Sequence, residues 1–218
     1  MGTRGTVALE NARGRYPRRG PTAETAMRNA LLLAIGVACA VPHFPAKADP
    51  VVQGLAAATG VVVLAEVLWP SSDPERRDFL AFDVGRFDAI KNEQRATEFE
   101  LEYDVGAPVL WKIAPIAGVG ATTDKSWWGY GGIRLDSYWG ARLIIAPSFA
   151  LAGYSRGNGK NLGTPAVLGR FGIDIEYLVD RDIRIGVGLH HMSNGKVLGQ
   201  ELNPGTEVLG AIVSIVIK

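Results

Sequence analysis

From residue 78 to the C-terminus, apolar and polar side chains alternate with a period of two. In EFELEYDV (98–105), glutamate or aspartate alternates with Phe, Leu, Tyr or Val. The same period recurs in RFGIDIEYL (170–178) and in RDIRIGVGLHHMSN (181–194). Successive side chains of a β-strand point to opposite faces, so this period is that of strands and not of helices. The region is therefore predicted to be all-β.

Turn residues, mainly Gly, Asn, Asp and Pro, separate the alternating runs. They predict eight strands, near residues 79–88, 94–105, 110–122, 127–138, 140–153, 166–178, 181–193 and 206–217. Eight antiparallel strands with no helical pattern between them are typical of an up-and-down β-barrel.

Alternation alone does not determine whether the polar face of the barrel points outward to water or inward to the lumen. A soluble lipocalin-like barrel would point its apolar side chains inward, and a transmembrane barrel would point them outward. The predicted strands of about 10 to 13 residues are long enough to cross a bilayer at a tilt. Charges of both signs share one parity, and aromatic residues lie near strand ends, where a bilayer has its interfaces. We therefore expect an all-β, eight-stranded, antiparallel, up-and-down transmembrane β-barrel over residues 78–218.

The N-terminal region carries an export pattern. Residues 1–26 are polar and Arg-rich, which indicates an upstream extension before a start at Met27. Residues 27–48 combine Arg28, an apolar run over 30–41 and the small-residue exit Ala-Lys-Ala, which is typical of a secretory signal peptide. Cleavage is expected near Ala48.

Residues 49–77 are predicted to form an N-terminal apolar segment and a linker. The stretch VVQGLAAATGVVVLAEVLW (51–69) approaches the length of a membrane-spanning helix. Gly54, Gly60 and Glu66 weaken that interpretation. A helix or a loose N-terminal segment is favoured over a transmembrane anchor.

Composition excludes several classes of function. A net charge of +1 gives no reason to expect a nucleic-acid partner. The single cysteine, Cys39, excludes a disulfide framework and a cysteine-ligated metal site. His190 and His191 are adjacent, so on a strand they point to opposite faces and do not form a metal pair. His190 is expected to be a hydrogen-bonded residue of the interior, and neither a metal nor an organic cofactor is predicted.

The stretch HHMSNGKVLGQELNPGTE (190–207) holds the candidate active site. His191 and Ser193 share the parity of Ile185, Val187 and Leu189, so both are predicted on the outer wall. Glu207 shares the outward parity of the last strand. Polar groups facing lipid are costly unless they satisfy one another. A triad does so, with Ser193 as nucleophile, His191 as general base and Glu207 orienting the imidazole. A nucleophile facing the bilayer implies a lipid ester or amide as substrate.

The motif His-x-Ser-Asn, followed by a short loop and Asn-x-Gly-x-Glu, resembles the signature of the PagL family of outer-membrane lipid A deacylases. The resemblance implies an eight-stranded barrel in the outer membrane of a Gram-negative bacterium. It also implies hydrolysis of the 3-O-linked acyl chain of lipid A by Ser193, His191 and Glu207. It places Asn203 at the oxyanion hole.

Two features depart from the family pattern. Gly195-Lys196 follows Ser193-Asn194, where the family usually has Ala-Gly, and the loop to Asn203 is about two residues longer. That loop brings in Glu201, which has the same parity as Glu207 and is a rival for the orienting acid. Asn194 and Gly195 are candidates for substrate or oxyanion contacts, although both also suit a plain turn.

The partners follow from the same resemblance. Lipid A, as part of lipopolysaccharide, is the expected substrate, and a second copy of the chain in a homodimer is a further candidate partner. Several loop cations could bind the phosphates of lipid A: Lys91, Lys125, Arg156, Lys160 and Lys196. Two alternatives remain, namely a non-catalytic outer-membrane barrel of structural or adhesive type, and a soluble periplasmic lipid-binding barrel.

Overall fold

The computed structural model describes residues 49–71, 77–163, 167–196 and 203–218. The predicted extension (1–26) and signal peptide (27–48) lie outside these ranges. The described elements, in chain order, are α1 (Pro50–Leu68), β1 (Phe79–Phe87), β2 (Ala96–Asp104), β3 (Ile113–Thr122), β4 (Trp127–Leu135), β5 (Ser137–Trp139), β6 (Leu143–Ser155), β7 (Val167–Leu178), β8 (Ile183–Ser193) and β9 (Thr206–Val216).

The strands close into an eight-stranded antiparallel barrel. From β1 to β4 and from β6 to β9 each strand pairs with the next in sequence, β9 pairs with β1, and β6 pairs with both β4 and β5. β4 and β5 count as one position in the wall because they share a single register against β6, with Arg134 opposite Ser148 and Ser137 opposite Ile145. Only Asp136 interrupts them. The predicted eight-stranded up-and-down topology is confirmed.

The predicted strand boundaries agree with the observed ones to within a few residues. The largest differences are at the starts of β3 and β6, each of which begins three residues later than predicted. Trp111 and Gly140 explain both shifts, since their backbones are left-handed (φ of 49° and 72°) and therefore belong to turns. We call the rim that holds the β8–β9 connection the upper rim and the rim where β1 starts the lower rim.

The two faces of the wall have opposite character. Outward side chains are apolar and exposed, for example Val119, Leu151 and Val187, whose exposed fractions are 59%, 60% and 53%. The inward side chains of β2 are the buried carboxylates of residues 98, 100, 102 and 104. Charge inside and hydrocarbon outside is the arrangement of a transmembrane barrel. The soluble alternative, with an apolar interior, is wrong.

The lower half of the lumen is filled by an ion-pair network around Arg134. Its guanidinium donates to Asp136 at 2.7 Å and to Asp174 at 2.8 Å, and it also contacts Glu176. Arg184 donates to the second oxygen of Asp136 at 2.9 Å. These contacts neutralise carboxylates that the barrel buries away from water, which is the condition under which buried charge is tolerated.

The upper half of the lumen is aromatic. Phe87, Trp128 and Tyr154 pack together with ring centroids 5.8 to 6.5 Å apart. Trp128 fills the space beside Gly120, its partner on β3, where a Cβ atom would lie only 2.3 Å from the indole. The indole N–H donates to Glu100 at 3.1 Å, which joins the aromatic cluster to the charge network below.

Residues 50–68, which the sequence left as a helix or a loose segment, form the helix α1. The length and composition of α1 would allow it to cross a membrane. Val62 and Val63 bury against Leu135, which has the outward parity of the exposed Ile133. The helix therefore lies on the outer wall of the barrel, with Glu66 at the lower rim.

We expect Arg134→Met to destabilise the barrel by about 3 to 5 kcal/mol, because it removes a guanidinium that neutralises the buried carboxylates of Asp174 and Glu176 and the partly buried one of Asp136. The folded fraction, read from heat-modifiable gel mobility across a temperature series, measures the loss. Arg142→Met is the matched control, since Arg142 is exposed, donates to the Val179 carbonyl at 3.1 Å and lies over the Tyr177 ring, with no buried carboxylate among these contacts. Equal unfolding temperatures for the two variants would contradict the proposed role of the network.

Candidate active site

β8 carries two candidate residues to the upper rim on its outward face. Ile185 and Val187 point outward and are exposed, and His191 and Ser193 continue the same parity. His191 lies directly opposite Glu207 in the β8–β9 ladder. Despite their outward parity, His191 and Glu207 are only 1% and 0% exposed. Ser193, at the end of the strand, stays partly exposed.

The imidazole and the carboxylate are in direct contact. Nδ1 of His191 lies 3.0 Å from Oε1 of Glu207. This contact holds the ring so that Nε2 is the nitrogen available for proton transfer. The predicted pairing of base and orienting acid is therefore present in the geometry. Glu201, the predicted rival of Glu207, lies outside the described residues.

Ser193 is the least engaged member of the candidate triad. It is two residues from His191 on the same face, but its hydroxyl makes no hydrogen bond to the imidazole in the described part of the chain. In substrate-free enzymes, hydrogen bonds between nucleophile and base are often long and tighten when substrate binds. The three residues therefore lie at one site, where His191 and Glu207 are in contact and Ser193 is not yet hydrogen-bonded to His191.

The two candidate asparagines shape the start and the end of the β8–β9 loop. The backbone N–H of Asn194 donates to Oδ1 of Asn203 at 3.2 Å. The Asn194 side chain donates to the Leu162 carbonyl at 2.8 Å and accepts from the Lys196 N–H at 2.9 Å. Gly195 and Lys196 both have left-handed backbones, with φ of 57° and 58°. Residues 194–196 thus form a turn directly after Ser193, and the side chain of Asn203 contacts the first residue of that turn.

Two residues that the sequence did not associate with this site also reach it. The N-cap of α1, Asp49, forms an ion pair with Lys91 of the β1–β2 loop at 2.6 Å. The Lys91 ammonium lies 3.9 Å from Glu207 and donates to the Pro204 carbonyl. Burial opposes ionisation of Asp49, but hydrogen bonds from Lys91 and from the Val51 N–H outweigh it. The pKa of Asp49 is therefore held below its usual value.

Asp49, His191 and Glu207 bring their ligand-type atoms within 4.8 Å of one another. Such a trio could in principle hold a divalent cation. Here Lys91 already supplies a positive charge between the two carboxylates, at 2.6 Å from Asp49 and 3.9 Å from Glu207. The cluster is thus an ion-pair group around an imidazole.

Other histidine and lysine candidates have structural partners. His190 points into the lumen, where its ring nitrogens contact Asp174 at 2.7 Å and Arg170 at 2.8 Å. Its predicted role as a hydrogen-bonded interior residue is confirmed. Lys160, one of the loop cations considered for phosphate binding, is buried and paired with Asp88 at 2.7 Å. The suggestion that Lys160 binds phosphate is therefore wrong.

The model of the PagL family, described as lipid A 3-O-deacylase, matches residues 116–216. The resemblance to PagL is confirmed. The match runs from β3 to the end of β9 and includes the whole β8–β9 region. It does not include α1 or the β1–β2 loop, so Asp49 and Lys91 lie outside it.

The chain is similar to several solved structures. The crystal structure of the outer membrane enzyme PagL has 16% identity and a TM-score of 0.51, covering 64% of this chain and 99% of that chain. The N-terminal β-barrel domain of Pseudomonas aeruginosa OprF has 12% identity and a TM-score of 0.48, covering 66% and 100%. A de novo designed transmembrane β-barrel has 8% identity and a TM-score of 0.48, covering 67% and 100%. No curated protein sequence matches the chain.

Gly205 determines how closely the β8–β9 loop approaches the imidazole. Its backbone is left-handed (φ 63°), and a Cβ atom there would lie 2.8 Å from Cε1 of His191. We expect Gly205→Ala to displace the ring and to lower any hydrolytic kcat by about 100-fold, the usual effect of a misplaced catalytic group. Gly153→Ala is the control, because no atom lies within 4 Å of its added Cβ. Equal kcat values for the two variants would contradict this account.

Proposed function

We propose that this protein is an outer-membrane carboxylic-ester hydrolase that removes the 3-O-linked acyl chain of lipid A. The observation that carries the proposal is the buried contact between His191 and Glu207 beside Ser193, on the outward face of the barrel. The match to a family described as lipid A 3-O-deacylase supports both the substrate and the ester position.

The position of the site favours a lipid substrate. Below it, the outer wall presents exposed apolar side chains such as Val187 and Leu209. An ionisable pair on that wall is costly next to hydrocarbon, and such residues in membrane proteins mark functional sites. A substrate that reaches Ser193 along this surface can keep its acyl chains in the bilayer while its ester carbonyl lies at the rim.

The proposed chemistry is acyl transfer through a covalent intermediate. Ser193 Oγ attacks the ester carbonyl, and Nε2 of His191 takes the hydroxyl proton. Glu207 stabilises the imidazolium through Nδ1. Proton transfer from His191 to the leaving 3-hydroxyl of lipid A releases the deacylated lipid. A water molecule, activated by the same imidazole, then hydrolyses the acyl-serine and releases the fatty acid. The chain's own side chains supply every group in this scheme.

The ordered turn after Ser193 is the proposed oxyanion site. Because Asn203 accepts the Asn194 N–H through Oδ1, its Nδ2 group is left as a donor for the developing oxyanion. The backbone of Gly195 is the second candidate, since a left-handed turn can direct its N–H toward the carbonyl at Ser193. Asn194 orders this turn through its contacts with Leu162 and Lys196.

Export and location complete the proposal. The transmembrane barrel and the family match support the outer membrane of a Gram-negative bacterium. The predicted signal peptide (27–48), with cleavage near Ala48, would bring the chain there. Lipopolysaccharide is the proposed partner, and a homodimer remains a candidate assembly.

We expect Ser193→Ala and His191→Asn each to lower deacylation by about 10⁴-fold or more, as losses of triad members do. The barrel should still fold, because both residues lie at the rim and not in the lumen. Mass spectrometry of lipid A from cells that express each variant measures the missing acyl chain, and heat-modifiable mobility reports folding.

Ser137→Ala is a matched control, because Ser137 is a serine of outward parity at the opposite rim. Deacylation by the Ser193→Ala protein at the wild-type rate would exclude the mechanism. If wild-type cells showed lipid A with all its acyl chains, the non-catalytic barrel would be the better account.

A further inference from the structure

Helix α1 is clamped to the barrel at both ends by acid–lysine pairs. At the upper rim, Asp49 binds Lys91 at 2.6 Å. At the lower rim, Glu66 binds Lys112 at 2.7 Å and accepts a hydrogen bond from Ser137 at 2.6 Å. A helix of 19 residues is about 28 Å long, close to the thickness of a bilayer core. The two clamps therefore hold the helix along the lipid-facing wall from one rim to the other.

The upper clamp places a second acid and a cation beside the proposed triad. Ligand-type atoms of Asp49 lie within 4.8 Å of those of His191 and Glu207. The Lys91 ammonium has two carboxylates within reach, Asp49 at 2.6 Å and Glu207 at 3.9 Å. The closer one is Asp49. Glu207 keeps its hydrogen bond to His191 while Lys91 is paired with the helix.

We propose that Asp49 is a positioning residue of the active site, which binds Lys91 and so keeps that ammonium from competing with His191 for Glu207. This inference rests on the proposed function of the triad. It assigns α1 a role in catalysis, although α1 and Lys91 lie outside the residues that match the family.

The charges around the imidazole explain the effect. Three charged side chains lie near His191: Asp49 at the start of α1, Lys91 in the β1–β2 loop and Glu207 in β9. The β7 residue paired with His191 is the uncharged Phe171. When His191 takes the serine proton, the positive side chains of His191 and Lys91 face the carboxylates of Asp49 and Glu207. Cleavage after Ala48 would place the α-ammonium group of residue 49 here in every variant, so it does not alter the comparison between variants. Without the Asp49 carboxylate, the two positive side chains would share Glu207 alone, and the imidazolium would form less readily.

Asp49→Asn removes the negative charge of residue 49 while keeping the N-cap of the helix. Asn is as good an N-cap as Asp, so its side chain can still accept the Val51 N–H, as Asp49 does at 3.0 Å. We expect the low-pH limb of the kcat profile to move to lower pH by about one unit, since an imidazolium that loses a neighbouring carboxylate deprotonates more easily. We also expect the plateau kcat to fall severalfold, because the base is weaker, with KM unchanged.

Two further variants complete a double-mutant cycle between Asp49 and Lys91. Lys91→Met removes the cation and should move the low-pH limb to higher pH. Asp49→Asn combined with Lys91→Met restores the charge balance and should return the limb close to its wild-type position. The assay uses the full exported protein in detergent micelles with purified lipid A. Mass spectrometry follows product formation between about pH 4 and about pH 9 at roughly quarter-unit steps, which are fine enough to resolve the expected shift.

Glu66→Gln is the matched control at the lower clamp. It loosens the same helix by removing a charge from its other end, far from His191, and should leave the low-pH limb in place. Equal losses of kcat in Asp49→Asn and Glu66→Gln, with the limb unmoved in both, would mean that Asp49 only anchors the helix and would overturn the proposal. An unchanged profile for Asp49→Asn would also overturn it.

The intact mass of the exported protein supplies an independent test. The proposal requires that the mature chain retains residue 49, so a mature N-terminus beyond Asp49 would refute it. Neither result touches the triad itself, which fails only if Ser193→Ala retains deacylation. The two hypotheses can therefore be separated with one set of purified variants.

Discussion

The structure depends on the neutralisation of charge inside a closed lumen. Arg134 and Arg184 share the carboxylates of Asp136 and Glu176, so the barrel can bury ionised groups that hydrocarbon would not accept outside. With charge inside, the outward positions are left to apolar side chains, and the wall can face lipid. The lumen is filled by this network below and by the aromatic cluster above.

Two ionisable residues, His191 and Glu207, are exceptions on this apolar outer wall. They have the parity of exposed Val and Leu residues but are almost fully buried, and Asp49, Lys91 and Gly205 lie close to them. Their mutual hydrogen bond joins Nδ1 of His191 to Oε1 of Glu207, and the ion pair of Asp49 and Lys91 lies beside them. Ser193 stays accessible beside them. A buried imidazole next to an accessible hydroxyl, facing the bilayer, is the arrangement that the proposed hydrolysis of a lipid ester requires.

Helix α1 links this site to the opposite rim. Its buried face packs on outward residues such as Leu135, and Glu66 ties its last turns to Lys112. The helix thereby gives Asp49 a fixed position next to the imidazole. The family match begins at residue 116, after the helix and the first two strands, so it does not cover the helix.

The sequence by itself determined the barrel and the common face of the three candidate triad residues, but not the presence of Asp49 and Lys91 beside them. A period of two, read with turn residues, located all eight strands, and parity alone put His191, Ser193 and Glu207 on one outer face. Both are local properties of a strand. Only the tertiary structure showed which distant segments lie next to the candidate site and where the helix α1 packs. Lys91 meets Pro204 across 113 residues of chain, and an apolar helix such as α1 has the same pattern whether it anchors the chain or packs on the wall. Such contacts depend on how the closed barrel brings distant loops together at one rim.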